Sequence, residues 1–142
     1  MKNRNLDNID DWKTPPDFYD KLNEEFNFDF DPCPLQHDIT KWDGLEIPWL
    51  RKNFINPPYS RVLKDKFVVK ALAESKLGKL CVLLLPVSTS TVLFHDVIQP
   101  NAKEIRFVRG RIKFHGVNTF GVHVTKVSGM HDSMVVIFDG RK

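Results

Sequence analysis

Residues 54–86 read FINPPYSRVLKDKFVVKALAESKLGKLCVLLLP, and they predict a strand, a helix and a second strand in immediate succession. The first strand, Phe54-Ile55, must end at the two prolines that follow, because proline cannot pair within a central strand. Ser60 can cap the amphipathic helix that comes next, and Gly78 stops it. Leu80 to Leu85 is a near-continuous apolar run, typical of a parallel strand covered on both faces. The helix is therefore predicted to be a crossover connection.

Upstream of this unit the pattern predicts one more helix and one more strand. Thr14 followed by two prolines is typical of a helix start, and apolar residues then recur at helical spacing over about 15–25. Residues 26–31 alternate aromatic and polar side chains, which favours a strand that Pro32 ends. Residues 32–52 show no sustained period and are expected to form a long ordered loop, of the kind that usually serves a function.

Downstream of the unit the pattern predicts a short helix and two strands, over residues 91–98, 104–108 and 134–138. The segment between the last two strands is rich in Gly, Val, Thr and His, and it can itself form a hairpin. The whole order indicates an α/β fold whose sheet is mostly parallel with an antiparallel edge. We expect one domain over residues 12–142, preceded by a flexible polar arm over residues 1–11.

Length and composition exclude several classes of protein. At 142 residues the chain falls in the single-domain range, and its 42% apolar residues are enough to build a core. No stretch approaches the roughly 20 apolar residues of a membrane span, and the polar start lacks the apolar core of a signal peptide. Cys33 and Cys81 provide no disulfide framework, and Cys33 with His37 lacks the companion ligands of a zinc site. We therefore expect a cytoplasmic protein with no metal and no membrane partner.

Basic residues cluster within residues 106–113, while aspartates concentrate toward the N-terminus. The net charge of +3 favours an approach to phosphates, but the same charge occurs in proteins that never meet nucleic acid. Arg109, Arg111 and Lys113 are candidates for contacts with the phosphates of a nucleic acid. The alternative is an exposed strand that carries a solvated basic face.

The tetrapeptide Asn56-Pro57-Pro58-Tyr59 can act as a clamp for an exocyclic amine. Such an amine is a poor nucleophile because its lone pair is delocalised, and two hydrogen-bond acceptors favour its rehybridisation and stabilise the charge that develops during methyl transfer. Asn56 Oδ1 and the main-chain carbonyl of Pro57 can be those acceptors, since consecutive prolines hold the backbone stiffly. Tyr59 offers an aromatic face on which a planar group can stack.

The same tetrapeptide can also be an ordinary turn, since Asn and Pro are favoured in turns on conformational grounds alone. Its position favours the clamp, because a buried strand runs into it and an amphipathic helix leaves it. That setting puts Asn56 to Tyr59 at the carboxyl end of a sheet, where open α/β folds bind their ligands.

Several blocks of the chain resemble the small phage-type DNA N-6-adenine methyltransferases, the Dam-like family. The resemblance covers most of residues 12–138, and the blocks follow the order of the family. They are Trp12-Lys13-Thr14-Pro15, Phe28-Asp29-Phe30-Asp31-Pro32-Cys33-Pro34, Asp43-Gly44-Leu45 with Trp49, Phe54 through Ser60, Leu83-Leu84-Leu85-Pro86, and Gly110-Arg111-Ile112-Lys113-Phe114. Several matched blocks are far more specific than one tetrapeptide.

The resemblance implies a Rossmann-like fold, reduced in size, that binds S-adenosylmethionine and transfers its methyl group to N6 of adenine in double-stranded DNA. It implies the cytoplasm of a bacterium or a phage-infected host, a link to restriction and modification, and no obligate protein partner. The catalytic residues that it implies are Asn56, Pro57, Pro58 and Tyr59. The cofactor-binding residues that it implies are Thr14, Pro15, Asp29, Asp31, Pro32 and Cys33.

For three aspartates the sequence is compatible with a ligand-binding role and with a purely conformational role. Asp29 and Asp31 can bind the ammonium group or the ribose hydroxyls of the cofactor, or they can cap the chain at a strand end. Asp43 can approach the adenine or the cofactor, or it can form an ordinary turn with Gly44. Most methyltransferases of this fold carry a glycine-rich turn after the first strand, and here Asp31-Pro32-Cys33 occupies that place.

Two rival functions use the same residues. One keeps the fold and methylates RNA or protein glutamine, and the other is a non-catalytic DNA-binding module that no longer binds the cofactor. The segment from about His115 to Asp132 is the best candidate for reading bases, as a loop on a rigid scaffold, and its alternative is a flexible edge.

Overall fold

The structure, a computed structural model, describes residues 13–34, 37–113 and 131–142, together with the backbone of residues 115–117 and 123–125. The arm predicted over residues 1–11 lies outside these described residues. The helices are α1 (Pro16–Phe26), α2 (Arg61–Ser75) and α3, a π-helical turn (Leu93–Ile98) that continues as an α-helical turn (Gln99–Asn101). The strands are β1 (Lys52–Ile55), β2 (Leu80–Pro86), β3 (Glu104–Phe107), β4 (His115–Val117), β5 (His123–Thr125) and β6 (Ser133–Asp139). In the described part of the chain, no helix is long and apolar enough to cross a membrane.

Four of the strands form one mixed sheet in the order β1-β2-β6-β3. β1 pairs with β2 in parallel, and α2 is the predicted crossover between them. β6 runs antiparallel to both β2 and β3, and β4 pairs antiparallel with β5 in the segment where a hairpin was predicted. The α/β class is therefore confirmed, but the prediction of a mostly parallel sheet is wrong. An apolar run such as Leu80 to Leu85 indicates burial on both faces, and it carries no information about the direction of the next strand.

The strand predicted over residues 26–31 is wrong in extent. Helix α1 continues through Phe26 and ends at Asn27, whose backbone is left-handed with a φ of 59°. Phe30 then joins the sheet through a parallel bridge to Asn53 of β1. Asn adopts the left-handed region more readily than most residues, so Asn27 can end the helix within the alternating pattern. The aromatic residues of this pattern therefore lie in the end of α1 and in the segment that follows it.

The sheet separates two apolar clusters, so the molecule has three layers. Successive side chains of β2 point to opposite faces of the sheet. The face covered by α1 receives Leu80, Val82 and Leu84. The face covered by α2 and α3 receives Cys81, Leu83 and Leu85. Burying one such side chain fully contributes about 1.5–3 kcal/mol, so β2 is the centre of the fold.

A buried carboxylate joins α2 to the segment that leads into β1. Glu74 is 5% exposed, and its Oε1 accepts hydrogen bonds from Trp49 N at 3.0 Å and from Lys79 Nζ. Its Oε2 accepts a hydrogen bond from Lys70 Nζ at 2.9 Å. Burial raises the pKa of Glu74, but the hydrogen bonds from Lys79, Lys70 and Trp49 outweigh it and hold the pKa at about 2. The network fixes the approach to β1 against the last turns of α2.

We expect Glu74→Gln to lower the free energy of unfolding by about 3 kcal/mol at neutral pH, because two lysine ammonium groups lose a buried anionic partner. The folded pKa of Glu74 lies below its unfolded value of about 4.3, so its contribution is complete above roughly pH 5 and is lost as the pH falls toward 2. Urea denaturation of both proteins across this range tests the prediction. A stability difference that stays constant down to pH 2 would contradict it.

Gly140, directly after β6, packs against the last turn of α2. A Cβ at this position would lie 1.6 Å from the carbonyl oxygen of Ser75, so one of the two backbones would have to move. We expect Gly140→Ala to lower the free energy of unfolding by about 1–3 kcal/mol, as overpacking does. Gly110→Ala is the control, because its Cβ would meet nothing within 4 Å and only its φ of 75° disfavours alanine. Thermal denaturation should show the lower melting temperature for Gly140→Ala, and the reverse order would refute the packing argument.

Candidate active site

A cavity of about 580 Å³ opens at the carboxyl end of β1. It lies where the chain leaves both β1 and the Phe30 bridge, beside the first turns of α1. Because β1 and the Phe30 bridge are parallel, both leave the sheet at the edge where open α/β folds bind ligands. The described residues that line the cavity are Lys13, Thr14, Pro16, Tyr19, Asp20, Asp31, Cys33, Pro34, Phe54 and Asn56.

Four residues predicted from the sequence meet in this cavity: Thr14, Asp31, Cys33 and Asn56. The carboxamide Nδ2 of Asn56 donates a hydrogen bond to Thr14 Oγ1 at 3.1 Å. The thiol of Cys33 donates a hydrogen bond to the main-chain oxygen of Asn56, with Sγ at 3.4 Å. Asn56 Oδ1 is buried, so a substrate amine can reach it only when the groups that cover it move aside.

The other three residues of the tetrapeptide are not among the described residues that line the cavity. Pro57 and Pro58 are buried, and Tyr59 is half-buried with its ring packed against the apolar cluster on the α1 face. The Tyr59 ring also meets the ring of His131 edge to face, with centroids 6.2 Å apart. Burial raises the pKa of the Tyr59 hydroxyl, so this group stays protonated at neutral pH.

The two aspartates assigned to the cofactor occupy different positions. Asp29 Oδ1 accepts a hydrogen bond from Lys52 N at 3.0 Å, and Asp29 N donates one to Lys52 O at 2.8 Å. Asp31 lines the cavity, where its Oδ1 accepts a hydrogen bond from Cys33 N at 2.9 Å. Solvent reaches Asp31 from the cavity, yet the surrounding protein desolvates it enough to raise its pKa to about 6, despite the hydrogen bond from Cys33 and the nearby His37. Asp29 therefore ties the chain to β1, and Asp31 faces the cavity.

The neighbouring predicted residues support the walls of the cavity. Pro15 precedes α1, and its carbonyl accepts the hydrogen bond of Tyr19 N at 3.0 Å. Pro32 is buried and lies so close to Gly44 that a Cβ on Gly44 would be 1.9 Å from Pro32 O. Asp43 Oδ1 accepts a hydrogen bond from Leu45 N at 2.9 Å, which is the turn that the Asp-Gly pair also predicted. The loop of Asp43 and Gly44 therefore packs against Pro32, which lies in sequence between the lining residues Asp31 and Cys33.

The predicted basic residues lie apart from the cavity, in the segment after β3. Arg109, Arg111 and Lys113 are exposed, and none of them is among the described residues that line the cavity. Arg111 Nε forms an ion pair with Asp132 at 3.2 Å. The exposure of these three side chains is compatible with a phosphate-binding surface and equally with a solvated basic face.

The sequence pattern missed one wall of the cavity, which belongs to α1. Pro16, Tyr19 and Asp20 line it, and their spacing of three and four residues puts them on one face of the helix. Burial raises the pKa of the Tyr19 hydroxyl, and the negative charges of Asp31 and Asp20 raise it further. The helical spacing puts these three residues on one face, but it does not tell whether that face lines a cavity or meets solvent.

In the described part of the chain, no cluster of three or more His, Cys, Asp or Glu residues could hold a metal ion. His37, which together with Cys33 lacks the companion ligands of a zinc site, contacts Trp42. Its Nε2 lies 2.6 Å from the main-chain oxygen of Trp42, and the two rings are 3.8 Å apart.

The sequence model of a family described as DNA N-6-adenine-methyltransferase (Dam) matches residues 2–142. The chain is also similar to the DNA N-6-adenine-methyltransferase of Haemophilus phage HP1 (strain HP1c1), at 37% identity over 115 residues. That alignment covers 72% of this chain but 65% of the relative, so the chain spans slightly less than two thirds of the relative's length. No solved structure matches the chain significantly. Because the family match covers nearly every residue, the chain belongs to the DNA N-6-adenine-methyltransferase (Dam) family.

Proposed function

We propose that this protein transfers a methyl group from S-adenosylmethionine to N6 of adenine in double-stranded DNA. The observation that carries the proposal is that Asn56, Asp31 and Thr14 meet at one cavity, in a chain of the Dam family. The parallel β1-α2-β2 unit supports the further inference that the sheet is a reduced form of the Rossmann-like methyltransferase fold. Cytoplasmic DNA of a bacterium or a phage-infected host is the substrate that this proposal implies.

The groups around the cavity suit S-adenosylmethionine. The volume lies within the roughly 300–1,000 Å³ of small-ligand pockets. Asp20 and Asp31 provide carboxylates for an ammonium group or ribose hydroxyls. The ring of Tyr19, which packs edge to face on Phe54 at 5.2 Å, offers an aromatic surface to a base or a cation. The cofactor, when bound, supplies a methyl group activated by its positively charged sulfur.

Asn56 is proposed to bind the substrate amine. Its Oδ1 and the main-chain carbonyl of Pro57 accept hydrogen bonds from the two N–H groups of N6, which favours a tetrahedral nitrogen and stabilises its developing positive charge. The two buried prolines keep the backbone from reorganising. The protonated amine formed after transfer is acidic enough to lose its proton to water, so the chain needs no general base.

The adenine must leave the duplex before it reaches Asn56, because its N6 is hydrogen-bonded in the base pair. Flipping costs a few kcal/mol, which contacts to the DNA backbone must offset. The exposed Arg109 and Lys113 are proposed to make such contacts. Tyr59 is proposed to stack on the flipped base, and its ring must then turn away from His131 or open a gap beside it.

Two rival functions predict different results in binding and transfer assays. An enzyme for RNA or protein glutamine would bind S-adenosylmethionine but prefer another acceptor, so DNA, RNA and a glutamine peptide belong in one labelled-methyl assay. A non-catalytic DNA-binding module would show no cofactor binding by calorimetry. The carboxylates of Asp20 and Asp31 beside Asn56 favour the enzyme over this module.

We expect Asn56→Ala to lower kcat on adenine-containing duplex DNA by about 10²–10³-fold, since a donor or acceptor aimed at developing charge contributes on this scale. Transfer of a labelled methyl group measures kcat, and thermal denaturation checks that the fold is kept. Asn101→Ala is the matched control, because Asn101 is exposed on α3 and its Nδ2 donates a local hydrogen bond to Val97 O at 2.8 Å. Equal turnover by wild type and Asn56→Ala would refute the catalytic assignment.

We expect cofactor binding to weaken below pH 6, because Asp31 has a pKa of about 6 and loses its negative charge there. If binding requires the ionised form, Kd rises about tenfold for each further pH unit. Calorimetric titration from pH 7.5 to pH 5 measures this for wild type, Asp31→Asn and the control Asp96→Asn, an exposed residue of α3. Asp31→Asn should bind weakly with little pH dependence. A pH dependence equal to that of wild type would exclude Asp31 as its source.

A further inference from the structure

We propose that Thr14 is a positioning residue that orients the carboxamide of Asn56 toward the substrate amine. This inference rests on the proposed function, and it assigns Thr14 a role toward Asn56 in place of a direct contact with the cofactor. Both residues line the cavity, and the contact between them joins the start of α1 to the end of β1.

The Thr14 hydroxyl is held on a stiff support. Thr14 is 8% exposed and directly precedes Pro15, whose φ of −56° lies near the value fixed by the ring. A residue before proline is itself restricted to an extended backbone, and Pro16 then begins α1. The position of Oγ1 is therefore set by the helix start, so it can serve as a fixed point for a partner that follows β1.

A carboxamide needs such a fixed point because its two ends are alike in shape and opposite in hydrogen bonding. In one orientation of Asn56, Oδ1 accepts from the substrate amine, and in the opposite orientation the NH₂ group would confront the amine hydrogens. Nδ2 donates to Thr14 Oγ1 at 3.1 Å, which turns Oδ1 away from Thr14. A threonine hydroxyl can also donate, but donation to Oδ1 would reverse the amide and remove the acceptor from the substrate side.

The backbone of Asn56 is anchored independently of its side chain. The Cys33 thiol donates to the main-chain oxygen of Asn56 at 3.4 Å, and Asn56 directly follows β1. The orientation of the carboxamide depends on rotation about the side-chain bonds, and the Thr14 hydrogen bond acts on this rotation. Its loss should therefore change the rate of transfer more than it changes stability or cofactor affinity.

The test uses the full chain with Thr14→Val, which removes the hydroxyl and keeps the shape, and Thr14→Ser, which keeps the hydroxyl. We expect Thr14→Val to lower the single-turnover rate of methyl transfer to duplex DNA by about 5- to 50-fold, with the cofactor Kd changed by less than about threefold. Thr14→Ser should recover most of the rate. Thr40→Val, at an exposed hydroxyl bonded to Asp38, is the matched control and should match wild type. If Thr14→Val does not fold, Thr14→Ala removes the same acceptor without adding volume.

A second measurement does not depend on activity. In the ¹⁵N-labelled protein, the Asn56 side-chain amide protons should exchange slowly with solvent in wild type and Thr14→Ser, and faster in Thr14→Val. The same exchange rate in all three would overturn the inference, since it would show that Nδ2 does not depend on Thr14.

The activity results separate failure of this inference from failure of the proposed function. If wild type transfers no methyl group to DNA, the proposed function fails and the positioning role fails with it. If wild type is active and Thr14→Val keeps the full rate, only the positioning role fails. A raised cofactor Kd with an unchanged rate would also overturn it, in favour of a direct contact between Thr14 and the cofactor.

Discussion

The burial of β2 is the constraint on which the rest of the structure depends. Its side chains fill both apolar clusters, while β1 and β6 pair with its two edges. Because β1 pairs in register with Leu80 to Leu83, the position at which the chain leaves β1 is determined by β2. Asn56 is the first residue after that point. The position of the candidate catalytic side chain is thus set by the most buried strand of the core, and the surrounding loops pack around that position.

The sequence predicted the β1-α2-β2 unit well because each of its signals is local. An apolar run, a proline pair and an amphipathic period are each read within a short stretch of the chain. The direction of β6 is seen in its antiparallel pairing with β2 and β3, which are distant in sequence or separated by a long segment, so no local pattern encodes it. The strand predicted over residues 26–31 was wrong because a single left-handed residue, Asn27, ends a helix inside the alternating pattern. Burial and the parallel β1-β2 pair were therefore predictable, whereas the antiparallel direction of β6 was not.

The candidate site was predictable only in part, for the same reason. Asn56 and Asp31 follow strand or bridge residues, and parallel pairing brings such positions together. The carboxylates of Asp29, Asp31 and Asp43 each accept a main-chain hydrogen bond, and of these three aspartates only Asp31 lines the cavity. Which carboxylate faces the cavity is decided by tertiary geometry, and the local sequence does not report it. The α1 wall was missed because its polar face lines a cavity and its apolar face packs the core, and the helical period reports both faces equally.

Asp31-Pro32-Cys33 stands in the sequence where most methyltransferases of this fold carry a glycine-rich turn. The ammonium, sulfonium and hydroxyl groups of S-adenosylmethionine can also be bound by carboxylate and aromatic side chains. In this chain a close backbone approach occurs where Gly44 lies against Pro32, the residue that follows Asp31. The close packing of Gly44 therefore helps to hold the loop of Asp31, and we propose that the Asp31 carboxylate serves the cofactor in place of a glycine-rich turn.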